Sequence, residues 1–198
     1  MISCNNINRI QGMPFDEYLK IPNKSFSFLK REQGGVAAPI KPSRKIDLGK
    51  LVDAILCNEG PDFTSTLYPA AKDIAEKIKS DFGDVIGLCE KQVSYTCDLE
   101  YSGFVMPFKG RLDFELPGQL LIDLKVSHEK NIDGTISWMK YPDQLWGYSR
   151  PACVDTAYLL VYCVPLKTTF LRKMKFDPMN DFFAQKILRH GKFTPSYI

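Results

Sequence analysis

The sequence has no Cys-x-x-Cys pair. Its six cysteines, Cys4, Cys57, Cys89, Cys97, Cys153 and Cys163, are scattered, and its two histidines, His128 and His190, stand at no zinc-finger spacing. Zinc is therefore not expected. An iron–sulfur cluster needs four convergent cysteines, and this spacing does not offer them. Cys153 and Cys163 flank or sit in an apolar run and read as small buried hydrophobes. No apolar stretch approaches ~18 residues, so no transmembrane helix is expected. The opening residues, MISCNNINRI, carry no apolar signal core, and a cytoplasmic location is the expectation. Internal repeats and low-complexity tracts are also missing. Neither sign of charge dominates: a net +3 permits a nucleic-acid partner without requiring one.

What is present suffices for a core. The 198 residues, 44% hydrophobic and 25% charged, read as a single domain spanning 1–198. Residues 1–22 show no clean period and read as irregular. Residues 25–32 form a short helix opened by the serine cap Ser25. Residues 34–44 read as a glycine- and proline-rich loop ending in basic Lys41, Arg44 and Lys45. Leu48, Leu51, Val52 and Ile55 make a helical stripe over 46–57, and a second helix covers 65–80. After Gly83 the pattern turns to strands over 86–98, 103–116 and 119–126, an antiparallel meander. A helix at 142–150, a buried strand at 156–164 and a partner strand at 168–176 follow. A helix over 177–190 closes the series at Gly191. The order implies an α/β (mixed α+β) fold: a central mixed β-sheet flanked by helices, with its core about 25–176.

The stretch GRLDFELPGQLLIDLKVS, 110–127, carries the chemistry. Pro117-Gly118 between two apolar-rich runs reads as a hairpin turn. Folded about that dipeptide, Asp113 falls nearly opposite Ile122 and diagonal to Asp123. Asp123 and Lys125, two apart on one strand, share a face. Two carboxylates and an ammonium on one sheet face are costly unless a cation or a phosphate joins them. Hard oxygen ligands suit Mg²⁺ or Mn²⁺. The constellation points to metal-dependent phosphodiester hydrolysis. The competing reading is a solvated strand face with an ordinary Asp–Lys pair. Against it, Asp123 and Lys125 alternate with Ile122, Leu124 and Val126, and Gln144 and Tyr148 stand at i and i+4 on the next helix.

Asp113, then Asp123-Leu124-Lys125, then Gln144-Leu-Trp-Gly-Tyr148 resembles the core of the PD-(D/E)xK nuclease superfamily. Within it, the resemblance is to the RecB-like exonuclease branch, which carries a Gln-x-x-x-Tyr helix after the D/E-x-K strand. SFSFLK (25–30) and DLGKLVDAILCNEGPDF (47–63) are similar to the opening of phage and prophage recombination exonucleases of the RecE type. The resemblance covers roughly 25–165 and implies a restriction-endonuclease-like core. It implies that Asp113, Asp123 and the carbonyl of Leu124 ligate the metal and that Lys125 positions or activates the attacking water. Gln144 and Tyr148 would hold the scissile region of the strand. Glu90 matches a glutamate that often lies beside the metals, with a solvated strand residue as the equal alternative.

One departure bears on the metal count. RecB-like enzymes usually place a histidine on the first core helix, in a Gly-x-x-x-His-like context; here Gly49 leads to Asp53. Aspartate can still ligate Mg²⁺. Asp53 stands off the apolar stripe, so a solvent-exposed role competes, and with it a site of one ion rather than two. The superfamily's proline before the first aspartate is replaced by Leu112. Lys109, Arg111, Lys140 and Arg150 flank the motifs as candidate DNA contacts, and Arg44 could meet a terminal 5′-phosphate. Tyr95, Tyr101 and Phe104 are candidates for base stacking, against strand packing.

The resulting expectation is an Mg²⁺- or Mn²⁺-dependent DNA exonuclease acting on linear duplex or single strands. By resemblance its setting is phage-type recombination or DNA repair, with a single-strand annealing protein as a candidate partner and room for a ring-shaped homo-oligomer. The alternatives are a catalytically silent nucleic-acid- or protein-binding module on the same fold and, third, an endonuclease.

Overall fold

A computed structural model describes residues 1–33, 36–37, 43–174, 176 and 180–194. The glycine- and proline-rich stretch read from the sequence, with Lys41, lies largely outside the described residues, as does the start of the segment read as the last helix. The chain opens with strand β1 (Ser3–Ile10), helix α1 (Phe15–Lys20), β2 (Lys24–Ser25) and α2 (Phe26–Arg31). The short β3 (Glu32–Gln33) and β4 (Val36–Ala37) pair with each other. Two long helices follow, α3 (Arg44–Cys57) and α4 (Tyr68–Gly87), then the strands β5 (Glu90–Tyr101), β6 (Phe104–Leu116) and β7 (Leu120–Ser127). Helices α5 (Ile132–Trp138) and α6 (Tyr141–Ala152) lead to β8 (Ala157–Cys163) and β9 (Thr168–Met174). Helix α7 (Asp181–His190) and β10 (Lys192–Phe193) complete the described fold.

The main sheet runs β1-β5-β6-β7-β8-β9. Strands β5, β6 and β7 form the antiparallel meander, β7 and β8 are parallel, and β9 returns antiparallel. The sheet is therefore mixed, and helices cover both faces. On one face α3 and α4 bury Leu48, Val52, Leu56, Ala71, Ile74 and Ile78 against Ile122, Leu124 and Leu160. On the other, α2, α5, α6 and α7 pack Phe26, Ile136, Trp146 and Phe183 against Val93, Leu99 and Phe108. Continuous apolar strand β8, with helices on both sides, fits burial on both faces.

Local chemistry sets the helix ends. The Ser43 hydroxyl accepts from the Ile46 N–H at 3.3 Å to start α3, and Asn58 ends it in the left-handed region at φ 59°. The Ser25 hydroxyl caps α2 by accepting from Phe28 N–H. The Asn180 side chain does the same for α7 through Phe183 N–H. Glu32, with a fully buried side chain, then ties α7 down by pairing with Lys186 at 2.6 Å and with Arg189 and His190. Burial alone would raise its pKa, but Lys186, His190 and Arg189 hold it below the ordinary range.

The second helix passes through Gly83 and ends at Gly87, so the first strand of the meander starts at Glu90 rather than at 86; two further expectations also need correction. Residues 1–22 are not irregular: β1 pairs with β5 from Ser3↔Glu100 to Ile10↔Ser94, with a bulge between Asn5 and Asn8. An edge strand rich in asparagine buries little and so carries no apolar alternation. Cys153 is exposed, in the left-handed position that closes α6; Cys163 is buried as expected.

Gly147 shows how tightly α6 meets α7. A Cβ there would lie 2.4 Å from Phe183 Cζ and 3.3 Å from Phe108 Cζ, and both rings are fully buried. Alanine would gain about 1 kcal/mol of helix preference over glycine. Overpacking of a rigid core costs about 1–3 kcal/mol, and a 2.4 Å overlap belongs at the upper end. Gly147→Ala should therefore lower stability, read as a reduced midpoint in urea; a raised midpoint would show that the rings yield freely.

Candidate active site

The hairpin that carries the two aspartates is not closed by a two-residue turn. Leu116 pairs with Leu120, so the loop is Pro117-Gly118-Gln119. Gly118 sits at φ 68°, and Gln119 N–H donates to the Leu116 carbonyl at 3.0 Å. One extra loop residue shifts the register, placing Phe114, not Asp113, opposite Ile122. Continued by one step, that register sets Asp113 against Asp123.

The two strands separate at that step. Ladder pairing between β6 and β7 ends at Phe114↔Ile122. Further back along β6, β2 takes the free edge at Phe108 and Lys109, and β10 takes it at Phe104 and Val105. In the gap Asp113 Oδ2 accepts from the Leu124 backbone N–H at 2.7 Å, replacing a lost ladder bond. Strand separation thus opens a notch with Asp113 on one lip and Asp123-Leu124-Lys125 on the other.

Face alternation also breaks here. Gln92, opposite Asp113 on β5, has φ 53°, a strained value for a non-glycine in mid-strand. Leu112 packs in the core beneath α6 and α7, whereas Phe114, two residues on, packs beneath α3 and α4. The break turns Gln92 toward α3, where its amide donates to Asp53 Oδ2 at 2.9 Å. Gln92 is itself held by Arg111 Nε at 2.5 Å. Cys57 Sγ donates to the other oxygen of Asp53. Asp53 is half-buried and aimed into the notch, so it does not occupy the solvent-exposed position that its place off the stripe suggested.

Asp53, Asp113 and Asp123 crowd one another. Burial pushes the Asp113 carboxyl well above the usual range, and the charges of Asp53 and Asp123 push it further. Burial raises Asp53 too, against hydrogen bonds from Cys57 and Gln92. Lys125 supplies the positive charge: it is ion-paired with Asp123 and donates to the Leu124 carbonyl at 3.1 Å. Burial opposes its charge, but Asp123 and Asp113 together hold its pKa above the ordinary lysine value.

Helix α6 closes the other side. Gln144 Nε2 donates to Asp123 Oδ1 at 3.3 Å and to the Tyr148 hydroxyl at 3.1 Å. Tyr141, one turn before Gln144, lies under Lys125, whose Nζ is 5.4 Å from the ring centre. Tyr148 is buried against Gly110, where a Cβ would come within 2.7 Å of the ring. The structure therefore brings together Asp53, Asp113, Asp123, Leu124, Lys125, Gln144 and Tyr148. The notch opens into a cleft of about 660 Å³ between α3 and α5, lined by Asp113 of β6 and by Leu124 to His128 along and just past β7.

Other candidates fall elsewhere. Glu90 pairs with Arg9 at 2.6 Å beside buried Glu115, part of a network that pins β1 to the sheet. Lys109 is buried, its ammonium donating to the carbonyls of Tyr18, Leu19 and Ile21 at the end of α1. Arg111 is spent on Gln92, Glu59 and the Met13 carbonyl. Neither cation faces outward to meet DNA: Lys109 docks the N-terminal segment, whose structure the sequence did not reveal, and Arg111 joins that segment at Met13 to Gln92 and Glu59. Tyr95 is buried and donates to Glu115, and Tyr101 and Phe104 pack against the core; strand packing, not stacking on bases, accounts for all three. Arg44 and Lys140 are exposed, and Arg150 lies over the Trp146 ring with Asp155 as a partner at 3.5 Å.

Two participants escaped the sequence reading. Tyr141 shares a helix face with Gln144 and Tyr148 at i, i+3 and i+7, a spacing that could have found it. Gln92 had no such signal, since its role depends on a backbone kink.

As to a metal, no three His, Cys, Asp or Glu side chains among the described residues form a group able to hold an ion by themselves. The donors that converge are two carboxylates, Asp113 and Asp123, and the Leu124 carbonyl. Asp123 Oδ2 is buried with the Lys125 ammonium against it, and among the described residues the carboxylates at the notch outnumber that ammonium. Hard oxygens with surplus negative charge fit Mg²⁺ or Mn²⁺.

No protein-family model matches the chain, and no curated protein matches it. Among solved structures the fold is similar to that of a protein from Eubacterium rectale named "putative exonuclease", at 16% identity and a TM-score of 0.52, over 91% of this chain and 82% of that one. A more distant likeness, at 13% identity and a TM-score of 0.44, is to a protein named SSO0001 over 77% of each chain. The first shares the mixed sheet flanked by helices. No helix among the described residues is long and apolar enough to cross a membrane.

Proposed function

We propose that the protein is a metal-dependent DNA exonuclease of the PD-(D/E)xK type. The observation that carries the reading is the notch between β6 and β7, where Asp113, Asp123 and Lys125 meet Asp53 and the Gln144–Tyr148 pair. A fold shared with a protein named as an exonuclease supports it. The ordered motifs support the RecB-like, RecE-like branch and a setting in phage-type recombination or DNA repair. A single-strand annealing protein as partner, and a homo-oligomer, belong to the same reading.

Asp113, Asp123 and the Leu124 carbonyl would hold Mg²⁺ or Mn²⁺, with Asp53 as a further carboxylate from the facing helix. Bound there, the ion would supply Lewis-acid activation of water and neutralise charge at phosphorus and on the leaving 3′ oxygen. The chain's own groups do the rest. Lys125, kept protonated by its carboxylate neighbours, holds the attacking water or donates to a non-bridging phosphate oxygen as charge builds there. Gln144 fixes the orientation of Asp123 through Oδ1. The buried Tyr148 hydroxyl accepts from the Gln144 amide and so helps aim that amide at Asp123.

End-labelled linear and circular duplex DNA, with Mg²⁺ or Mn²⁺, test the reading. Digestion of linear DNA alone is the expected result, and the labelled end gives polarity. Cutting of circles would replace the exonuclease by an endonuclease.

One observation favours a second reading, a catalytically silent binding module: the site lacks a ready-made three-carboxylate cage among the described residues. A live site should gain stability from the ion by mass action, about 2.7 kcal/mol at 100-fold excess over Kd. Thermal melts with and without Mn²⁺ should therefore show a rise of several degrees that Asp123→Asn reduces. Identical melts would favour the silent module.

A further inference from the structure

Trp138 is 80% exposed, at the end of α5. The chain has only two tryptophans, and the other, Trp146, is buried. A large aromatic left open to water needs a reason when it stands at a functional cleft. Trp138 lines the same cleft as Asp53, Asp113 and Lys125, as does half-exposed Phe15 on α1. Its surroundings are cationic. Lys30 Nζ lies 6.0 Å from the Trp138 ring centre and is anchored at 2.9 Å to the carbonyl of Met139, the next residue. Lys140 is exposed two residues on. Burial and then the charges of Lys140 and Lys125 weaken the hold of Lys30 on its proton, which marks three ammonium groups near one another. Lys50 and Lys45, the latter 3.6 Å from Glu129, line the far wall.

A flat aromatic face beside clustered ammonium groups suits a ligand that is both planar and anionic. A nucleotide in a single strand is such a ligand: its phosphate meets the lysines and its base the indole. A base paired inside a duplex cannot serve, because both of its faces are already stacked, and a terminal pair offers one face only, whereas an unpaired base can turn freely onto the indole.

We propose that Trp138 is a stacking platform for an unpaired nucleobase of the strand whose backbone enters the notch. The consequence is a preference for single-stranded ends, or for duplex ends opened by at least one pair. The proposal rests on the nuclease reading and adds the state of the substrate strand.

The test uses the full chain in EDTA, so that no cleavage occurs, with an eight-nucleotide oligothymidylate and an abasic strand of the same length. Because Trp146 is buried, a change in tryptophan fluorescence on adding oligothymidylate reports on Trp138. Trp138→Ala should weaken oligothymidylate binding roughly 5- to 150-fold, the range of one stacked base. Trp138→Phe should recover most of that loss, and the melting temperature of both variants should match the wild type. The abasic strand should bind wild type and Trp138→Ala alike. Equal oligothymidylate affinity in wild type and Trp138→Ala would overturn the platform. So would a fluorescence change that follows protein concentration alone, since a second copy of the chain would then cover the indole. Cleavage of linear DNA, assayed in parallel with Mg²⁺, separates the two ideas. Cleavage with unaltered binding in Trp138→Ala removes the platform and leaves the nuclease, whereas neither cleavage nor binding by the wild type removes both.

Discussion

Lys125→Ala should lower DNA cleavage by a factor on the order of 10³ or more while DNA binding survives, a barrier increase of roughly 4 kcal/mol. The size follows from where the ammonium stands. Among the described residues it is the one cation in contact with the notch carboxylates, pairing with Asp123 and donating to the Leu124 carbonyl. On the proposed mechanism, losing it takes positive charge from the point where charge would develop at phosphorus. Binding depends instead on lysines spread along the cleft and is a sum of many small terms. Alanine also leaves Asp123, 2% exposed, without its partner, which costs stability. Lys125→Gln, which keeps the packing and a donor, therefore belongs beside it. Single-turnover cleavage with labelled DNA reads the first effect, and a gel shift in EDTA reads the second. Full activity in both variants would sink the mechanism.

Asp113→Asn should move activity and stability in opposite directions. Cleavage should again fall by about 10³ or more, since on the proposed reading an oxygen donor to the ion loses its charge. The metal-free protein should meanwhile become more stable by about 0.5–2 kcal/mol, as when a strained functional group is relieved. The amide oxygen can still accept from Leu124 N–H, but burial and the repulsion from Asp53 and Asp123 no longer act on a charge. The pH dependence carries the same signature. The folded pKa of Asp113 lies above its unfolded value, so between those two values the native state binds more protons than the unfolded state. Stability then falls as pH rises through that window and recovers as pH is lowered from neutrality. The stability gap between Asp113→Asn and wild type should therefore shrink on acidification in EDTA. Urea unfolding at several pH values measures it; a constant gap would mean that Asp113 carries no unfavourable charge in the fold.

The two variants separate the roles of a cation and an anion in one small space. Lys125 stabilises the metal-free site that it also serves, so removing it harms both fold and chemistry. Asp113 burdens the metal-free site, so removing it harms chemistry alone. A bound divalent ion would reverse the second sign: in Mn²⁺ the wild type should regain on Asp113→Asn what it lacks in EDTA.

Much of this site was legible in the chain. Alternation of Ile122, Leu124 and Val126 with Asp123 and Lys125 placed a charged pair on one strand face, because strand side chains have a period of two. The four-residue step from Gln144 to Tyr148 placed both on one helix face, because the helix has a period near 3.6. The stripe through Leu48, Leu51 and Val52 located α3, and continuous apolar β8 located the buried parallel strand. These features are periodic, and a period is carried by sequence alone.

Tertiary structure decided the rest. The register of Asp113 against Asp123 turned on one loop residue, Gln119, because the left-handed Gly118 closes a three-residue loop rather than a two-residue turn. The inward aim of Asp53 depended on Gln92, 39 residues away, whose left-handed backbone no local pattern announces. Lys109 and Arg111 looked like DNA contacts by position, yet Lys109 binds carbonyls at the end of α1 and Arg111 binds Gln92, Glu59 and the Met13 carbonyl, and the N-terminal segment they meet buries too little to leave a periodic trace. Where a residue's surroundings come from its own strand or helix, the sequence alone determined them. Where they come from segments brought together by folding, the partners were decided only by how the sheet splits and which edge each strand finds.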